Sequence, residues 1–248
     1  MRDRRVGSRS KTIAIGASVA GPRHLSAGES NQDAWHAVHR AHGTMIVVSD
    51  GVGSAKYAAA GARHACQAAT AVFGRLNPDS AAATFSEEVV AEWISRLSGC
   101  QPSECAATFL FGVRFYTGRM LVGGVGDGLV AVCHPRMPHG NKVVSRRAGE
   151  FGETYSLADR SRTGSWTIEE FDDSDSEHRV LLATDGVSND LIESRIYDLT
   201  AWLHQKFARA SGRGWRVGLR RELLRWPTPG SHDDKSLAMM WRVRGNST

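Results

Sequence analysis

Five aspartates stand at the ends of apolar runs or in a glycine-rich turn: Asp33, Asp50, Asp127, Asp185 and Asp233. Asp50 comes just after the apolar run 46–48, Asp185 just after the run 180–183, and each is followed by glycine. An aspartate at the end of a buried strand is costly unless it is paired, caps a turn or binds a metal. One such residue alone is usually a turn or N-cap residue. Two copies of the same pattern favour a shared site.

Carboxylates that converge at strand ends repel one another in the absence of cations. Hard divalent cations such as Mg²⁺ and Mn²⁺ prefer oxygen ligands of this kind. Glycine after aspartate lets the backbone turn sharply and frees a carbonyl to face such a ligand. Two ions about 3.5–4 Å apart can activate a bridging water and hold a phosphoryl group. The pattern therefore predicts hydrolysis of a phosphate ester without a covalent nucleophile.

The aspartates lie in five short motifs that follow one another along the chain. They read NQDA at 31–34, SDGVG at 49–53, GVGD at 124–127, ATDG at 183–186 and DDKSL at 233–237. Each motif is weak alone, but the ordered set resembles that of the protein phosphatase 2C family and spans nearly the whole chain. The stretches 24–33 and 149–154 resemble a compact bacterial branch of that family.

The resemblance implies an α+β fold, a four-layer α-β-β-α sandwich of two antiparallel sheets flanked by helices, with the metal site at one edge. It implies two Mn²⁺ or Mg²⁺ ions and a third, weaker one. By this resemblance Asp50 bridges both metals, the Gly51 carbonyl binds one, and Asp185 and Asp233 complete the shell of the other. Asp127 matches the third-metal position. The implied reaction is attack of a metal-bridged water on phosphoserine or phosphothreonine in a protein.

The sequence departs from the family pattern at three positions. Gln32 replaces the acidic residue that usually precedes Asp33, so the second metal would depend on Asp33, directly or through water. Gly28 replaces the arginine that would hold the substrate phosphate, and Arg23 and His24 are the candidates to replace it, since arginine suits phosphate. Asp234 replaces an asparagine and either supports the metal ligands or ties its loop.

Strands and helices interleave along the chain, and short turns between strands favour antiparallel pairing. Strands are predicted at 12–18, 35–38, 44–49, 106–116, 119–124, 129–134, 142–146, 180–183 and 237–243. Helices are predicted at 57–73, 84–97, 191–210 and 214–226. Segments 20–31 and 149–166 are predicted loops, the second a flap beside the site, and 171–178 an acidic turn. We expect a single domain over 12–245, preceded by a basic tail at 1–11.

The composition is that of a globular protein, with 248 residues of which 41% are hydrophobic and 23% charged. No apolar run approaches the roughly 20 residues that cross a bilayer, and no apolar segment follows the basic N-terminus as in a secretory signal. The four cysteines form no C-x-x-C pair, which predicts free thiols of a reducing compartment rather than a zinc site. We therefore expect a cytoplasmic protein without membrane association.

Three functions remain open at this point. The first is an active phosphatase on a phosphorylated protein, with a partner Ser/Thr kinase. The second is a catalytically weak or inactive relative that binds a phosphoprotein partner, which Gln32 and Gly28 would allow. The third is a basic nucleic-acid-binding module, suggested by a net charge of +5 but not required by the motifs. Asp50, Asp185 and Asp233 favour the first, because a decayed site would lose at least one of them.

Overall fold

Within the described residues, ten strands form two five-stranded sheets in which the pairings are antiparallel. The computed structural model describes residues 11–80, 82–136, 142–145, 155–159, 165–174, 177–228 and 230–243. The first sheet has the order β1 (Lys11–Val19), β10 (Lys235–Val243), β9 (Arg179–Ala183), β6 (Leu129–Cys133) and β7 (Lys142–Ser145). The second has the order β2 (Ala34–Arg40), β3 (Gly43–Ser49), β4 (Phe109–Phe115), β5 (Arg119–Val125) and β8 (Thr167–Asp172).

Helices cover the outer face of each sheet. The α-helices of the described residues are α1 (Pro22–Ala27), α2 (Ala58–Arg75), α3 (Ala82–Ser95), α4 (Asp185–Ser188), α5 (Ile196–Phe207) and α6 (Gly212–Leu224). Buried side chains of α2 and α3 pack on the second sheet, and those of α5 and α6 pack on the first. A third apolar cluster fills the space between the sheets. The predicted four-layer sandwich is confirmed.

The continuous apolar run of β3 reflects burial on both faces. Met45 and Val47 belong to the cluster beneath α2, whereas Ile46 and Val48 belong to the cluster between the sheets. Alternate residues of a strand face opposite sides, so a strand with both faces buried needs an apolar residue at every position. This central position holds the end of β3, and with it Asp50, firmly in place.

The helix predicted at 191–210 is shorter, since α5 begins at Ile196 and ends at Phe207, and α4 was not predicted. Two further segments differ more strongly from the sequence prediction. Residues 22–27, predicted as a loop, form α1, because Pro22 occupies the first helical turn and Gly28 ends the helix in the left-handed conformation with φ of 69°. Residues 167–172 form β8, the outer strand of the second sheet, although their acidic sequence lacks the apolar alternation of a strand. Antiparallel pairing with β5 stabilises this segment as a strand, although its own sequence does not predict one.

Parts of two predictions lie outside the described residues. Of the predicted basic tail at 1–11, Lys11 alone is described, and it begins β1. Of the predicted flap at 149–166, residues 149–154 and 160–164 lie outside. Among the described helices, none combines the length and apolar character needed to cross a bilayer.

Candidate metal centre

The strand registers bring the five aspartates to one end of the sandwich. The β2–β3 register pairs the residue after Asp33 with the residue before Asp50, so these two side chains lie at neighbouring strand ends. In the other sheet, Ala183 of β9 pairs with Leu129 of β6 and with Leu237 of β10. These registers place Asp127, Asp185 and Asp233 at neighbouring strand ends. The carboxyls influence each other's pKa across the two sheets. The residues predicted from the sequence are therefore neighbours in the fold.

Burial, together with repulsion between carboxylates, raises the pKa of Asp33, Asp50 and Asp185. Burial raises the pKa of Asp33 from its ordinary 3.8 to about 7, although the hydrogen bond from Thr184 offsets part of the rise. Burial also raises the pKa of Asp185 to about 6, and the charges of Asp127 and Asp233 add to it. The pKa of Asp50 is raised well above its ordinary value by burial and then by repulsion from Asp33 and Asp185. Divalent cations bound between these groups would relieve the repulsion.

Two carboxylate oxygens of the cluster are suited to bind a cation. Oδ1 of Asp33 and Oδ1 of Asp185 are buried and have no hydrogen-bond partner among the described residues. Oδ2 of Asp33, in contrast, accepts a hydrogen bond of 2.8 Å from the hydroxyl of Thr184. A buried acceptor oxygen without a hydrogen-bond donor is energetically costly. A metal ion bound to such a carboxylate oxygen would remove this cost. An all-oxygen donor set fits Mg²⁺ or Mn²⁺ rather than a softer metal.

The glycines after Asp50 and Asp185 serve close packing, because neither has a positive φ. A Cβ on Gly186 would lie 1.9 Å from the carbonyl oxygen of Asp234. A Cβ on Gly51 would lie 2.6 Å from the carbonyl oxygen of Ala58. Any side chain at these positions would push apart the segments that carry the aspartates, which explains the repeated Asp-Gly pair better than turn formation does.

Asp234 is a buried anchor between three segments. Its Oδ1 accepts a 2.8 Å hydrogen bond from the backbone N–H of Gly21, and its Oδ2 accepts one from the N–H of Gln32. Nδ1 of His24 lies 2.8 Å from the same Oδ2. The carboxylate therefore holds the loop before β10 against α1 and against the segment that leads into Asp33. Side-chain atoms of His24, Asp233 and Asp234 that could bind a metal lie within 4.8 Å of one another. Both carboxylate oxygens of Asp234, however, already accept hydrogen bonds from backbone N–H groups, which indicates that Asp234 stabilises the loop rather than binding a metal.

Replacing Asp234 with alanine should destabilise the protein by roughly 3 kcal/mol, because two backbone N–H groups, one buried and one partly buried, lose their acceptor. Asp234→Asn, which keeps one acceptor oxygen, should cost clearly less. Urea unfolding of both variants measures this difference. The exposed Asp198 provides the control, since Asp198→Ala should change stability by less than about 0.5 kcal/mol. A loss below about 1 kcal/mol for Asp234→Ala would show that Asp234 is not an anchor.

Arg23 and His24, the two phosphate candidates, lie in different environments. The side chain of Arg23 is 56% exposed, and its guanidinium lies 3.0 Å from Oδ2 of Asp233. The same guanidinium is 3.5 Å from the position of a Cβ on Gly53, so it reaches across the mouth of the cluster. His24 is 3% exposed and contacts Asp234. Its position indicates support of the anchor rather than contact with substrate.

Two polar residues of the site were missed by the sequence reasoning. Thr184 donates to Asp33 and accepts from the backbone N–H of Ser236 at 2.9 Å, so it links β9, β10 and the metal cluster. Lys235 is buried, and its ammonium donates to the carbonyl of Asp233 at 3.0 Å. Each of the two residues lies next to an aspartate within a motif, and this position could have marked it as part of the site. Motif spacing alone, however, does not predict the direction in which a side chain points.

A sequence model of the family described as Protein phosphatase 2C matches residues 20–226. This range contains four of the five motifs and ends before the fifth, at 233–237. The comparison with curated protein sequences gives no match.

Several solved structures share the fold over nearly the whole chain. RsbX in complex with magnesium is 13% identical, with a TM-score of 0.59 over 95% of this chain and 96% of that one. The serine/threonine phosphatase Stp1 from Staphylococcus aureus is 12% identical, with a TM-score of 0.67 over 97% and 99%. The Mycobacterium tuberculosis serine/threonine phosphatase PstP/Ppp is 13% identical, with a TM-score of 0.64 over 93% and 98%. At these identities the likeness supports the fold.

Proposed function

Because the chain belongs to the protein phosphatase 2C family, we propose that it is a metal-dependent phosphatase that hydrolyses phosphoserine or phosphothreonine in a protein. The observation that carries the proposal is the convergence of five aspartates, two of which have a buried oxygen without a donor. A partner Ser/Thr kinase would supply the phosphorylated substrate. The retained cluster argues against the inactive relative.

The proposal assigns the metal ligands as follows. Asp50, whose pKa responds to aspartates on both sides of it, would bridge two Mn²⁺ or Mg²⁺ ions. The Gly51 carbonyl and Asp33 would serve one ion, and Asp185 and Asp233 the other. Asp127, which acts on Asp185, would hold a third, weaker ion. When bound, such ions activate water and stabilise charge on phosphoryl oxygens.

Arg23 is proposed to bind the substrate phosphate. Its guanidinium is half exposed and already turned toward the cluster by Asp233, so it can contact phosphoryl oxygens without a large movement. Arg23→Ala should raise KM for a phosphothreonine peptide about tenfold and lower kcat less. Arg23→Lys should recover only part of the loss, since lysine lacks the bidentate geometry. Steady-state kinetics measure both, with the exposed Arg195→Ala as control. An unchanged KM would remove Arg23 from the phosphate site.

The test of the function is hydrolysis of p-nitrophenyl phosphate and of a phosphothreonine peptide, with and without Mn²⁺. Wild type should turn over both substrates only with the metal, and Asp185→Asn should lose at least about a hundredfold in kcat. Circular dichroism and Mn²⁺ titration of each protein establish that it is folded and how much metal it binds.

Either outcome of this test is informative. Metal-dependent turnover that collapses in Asp185→Asn supports the phosphatase and leaves the substrate to be identified. A folded, metal-saturated wild type without turnover would contradict the proposal and point to the phosphoprotein-binding relative, with Gln32 and Gly28 as the first positions to restore.

A further inference from the structure

A groove of about 500 Å³ lies along β2, away from the carboxylates of the metal centre. One wall is β2 itself, and the other residues come from β1, from α2 through Thr70, and from α6 through Trp215 and Arg216. All six residues from 35 to 40 line it. Since alternate residues of a strand face opposite sides, a groove lined by consecutive residues follows the edge of the strand rather than one face of the sheet.

Among the described residues, no strand pairs with the edge of β2 that faces this groove. β2 is the outermost strand of its sheet and pairs with β3 on its other side. The β2–β3 turn joins Arg40 to Gly43 through two residues, so this pair exchanges hydrogen bonds and the next pair does not. By this alternation the backbone of Trp35, Ala37 and His39 faces away from β3. The carbonyl of His39 accepts a hydrogen bond from the Arg40 side chain, as expected of an outward-facing group.

The elements around the groove are almost free of acidic residues. β1, β2 and α2 contain no aspartate or glutamate, and α6 contains only Glu222, which pairs with Lys206. Arg40 and Arg216 line the groove. Burial lowers the pKa of His36 and of His39, so arginine rather than histidine carries the positive charge here. The groove therefore combines strand-pairing groups with a positive potential.

We propose that this groove binds an extended acidic segment of the phosphoprotein as an added strand along β2. The proposal rests on the phosphatase function, and it places the bound segment close to the reaction, because β2 begins directly after Asp33. Main-chain hydrogen bonds to the edge would supply affinity, and Arg40 and Arg216 would select for acidic side chains.

The aromatic residues of the groove favour a peptide over a nucleic acid. Trp35 and Trp215 pack edge to face, with ring centroids 6.1 Å apart and planes at 70°. The guanidinium of Arg216 lies 5.3 Å from the ring centroid of Trp215. Both indoles thus have protein partners, whereas single-stranded nucleic acids need aromatic faces on which bases can stack.

The test compares wild type with the double variant Arg40→Glu/Arg216→Glu. The probe is a fluorescent ten-residue peptide rich in glutamate and without phosphate, so its binding does not depend on catalysis. The double variant should bind it at least about tenfold more weakly. The matched control, Arg195→Glu/Arg209→Glu, changes two exposed arginines outside the groove and should leave binding within twofold. Hydrolysis of p-nitrophenyl phosphate should be the same in all three proteins.

Two further probes decide the mode of binding. An acidic peptide N-methylated at consecutive residues should bind clearly more weakly than the parent, because neither edge of the modified chain then carries the N–H donors needed to pair with the strand edge. Equal binding of the glutamate peptide by wild type and double variant would overturn the proposal, as would unchanged binding of the N-methylated peptide. So would an oligonucleotide that binds more tightly than the peptide and is lost in the double variant. Failure of phosphatase activity with groove-dependent peptide binding intact would overturn the proposed function alone.

Discussion

Asp50→Asn is expected to lower metal-dependent kcat by about a thousandfold or more while making the metal-free protein more stable. The activity falls because Asp50 is the carboxylate placed between the others, and its loss removes the ligand that two ions would share. The stability rises because the same substitution removes a charge that burial and neighbouring carboxylates disfavour. Few substitutions outside such a cluster would combine these two effects.

Steady-state kinetics with Mn²⁺ measure the change in kcat between wild type and Asp50→Asn. Thermal unfolding of the same two proteins in a chelator measures the change in stability. Asp198→Asn is the control, because Asp198 is 55% exposed and pairs with Arg195 on the surface, where an ion pair contributes little. It should change neither kcat nor the unfolding temperature appreciably. If Asp50→Asn were inactive and also less stable without metal, the cluster would be held by hydrogen bonds rather than strained by repulsion.

Titration of the aspartate cluster is expected to lower the stability of the metal-free protein as pH rises from about 4 to about 7. The pKa of Asp33 is raised from 3.8 to about 7 and that of Asp185 from 3.8 to about 6. A carboxyl whose pKa is higher in the folded than in the unfolded state favours folding below the unfolded value, and this stability is lost as pH rises through the folded value. Addition of Mn²⁺ at pH 7.5 should restore it by binding the folded form.

Glu170, whose pKa is lowered by its hydrogen bond to Arg119, changes stability in the opposite direction at low pH, so the comparison must isolate the cluster. The unfolding temperature of Asp50→Asn minus that of wild type does so. In chelator this difference should grow between pH 5 and pH 8 by roughly 5–10 °C. Saturating Mn²⁺ should reverse its sign, because the metal stabilises wild type more than a variant that lacks a metal ligand. A difference independent of pH would show that the cluster does not titrate in this range.

Much of the fold could be predicted because its strands carry local signals. Continuous apolar runs indicated β3 and β9, and the strand-Asp-Gly pattern indicated that Asp50 and Asp185 belong to one site. The sequence did not reveal β8, because a polar outer strand is specified by its neighbour. It also did not reveal α1, because Pro22 and Gly28 are signals of a loop as well as of a short helix.

The polar support of the site could not be predicted for a related reason. Thr184, Lys235 and His24 act through contacts between segments far apart in the sequence, and motif spacing does not contain that information. Arg23 was a candidate because of its residue type, but its approach to Asp233 depends on α1, which was not predicted. The metal ligands were easier to propose because each lies next to an apolar strand that fixes its position.

The anchor at Asp234 also bears on when the protein can become active during synthesis. Its partners Gly21 and Gln32 are 213 and 202 residues away in the sequence, and β1 pairs with β10 rather than with any earlier strand. Formation of contacts between residues so far apart in the sequence is slow, because closing a long loop costs chain entropy before the contacts can stabilise it. A nascent chain therefore cannot assemble the cluster until the segment through β10 has left the ribosome. The topology by itself delays completion of the carboxylate site until the whole fold has formed.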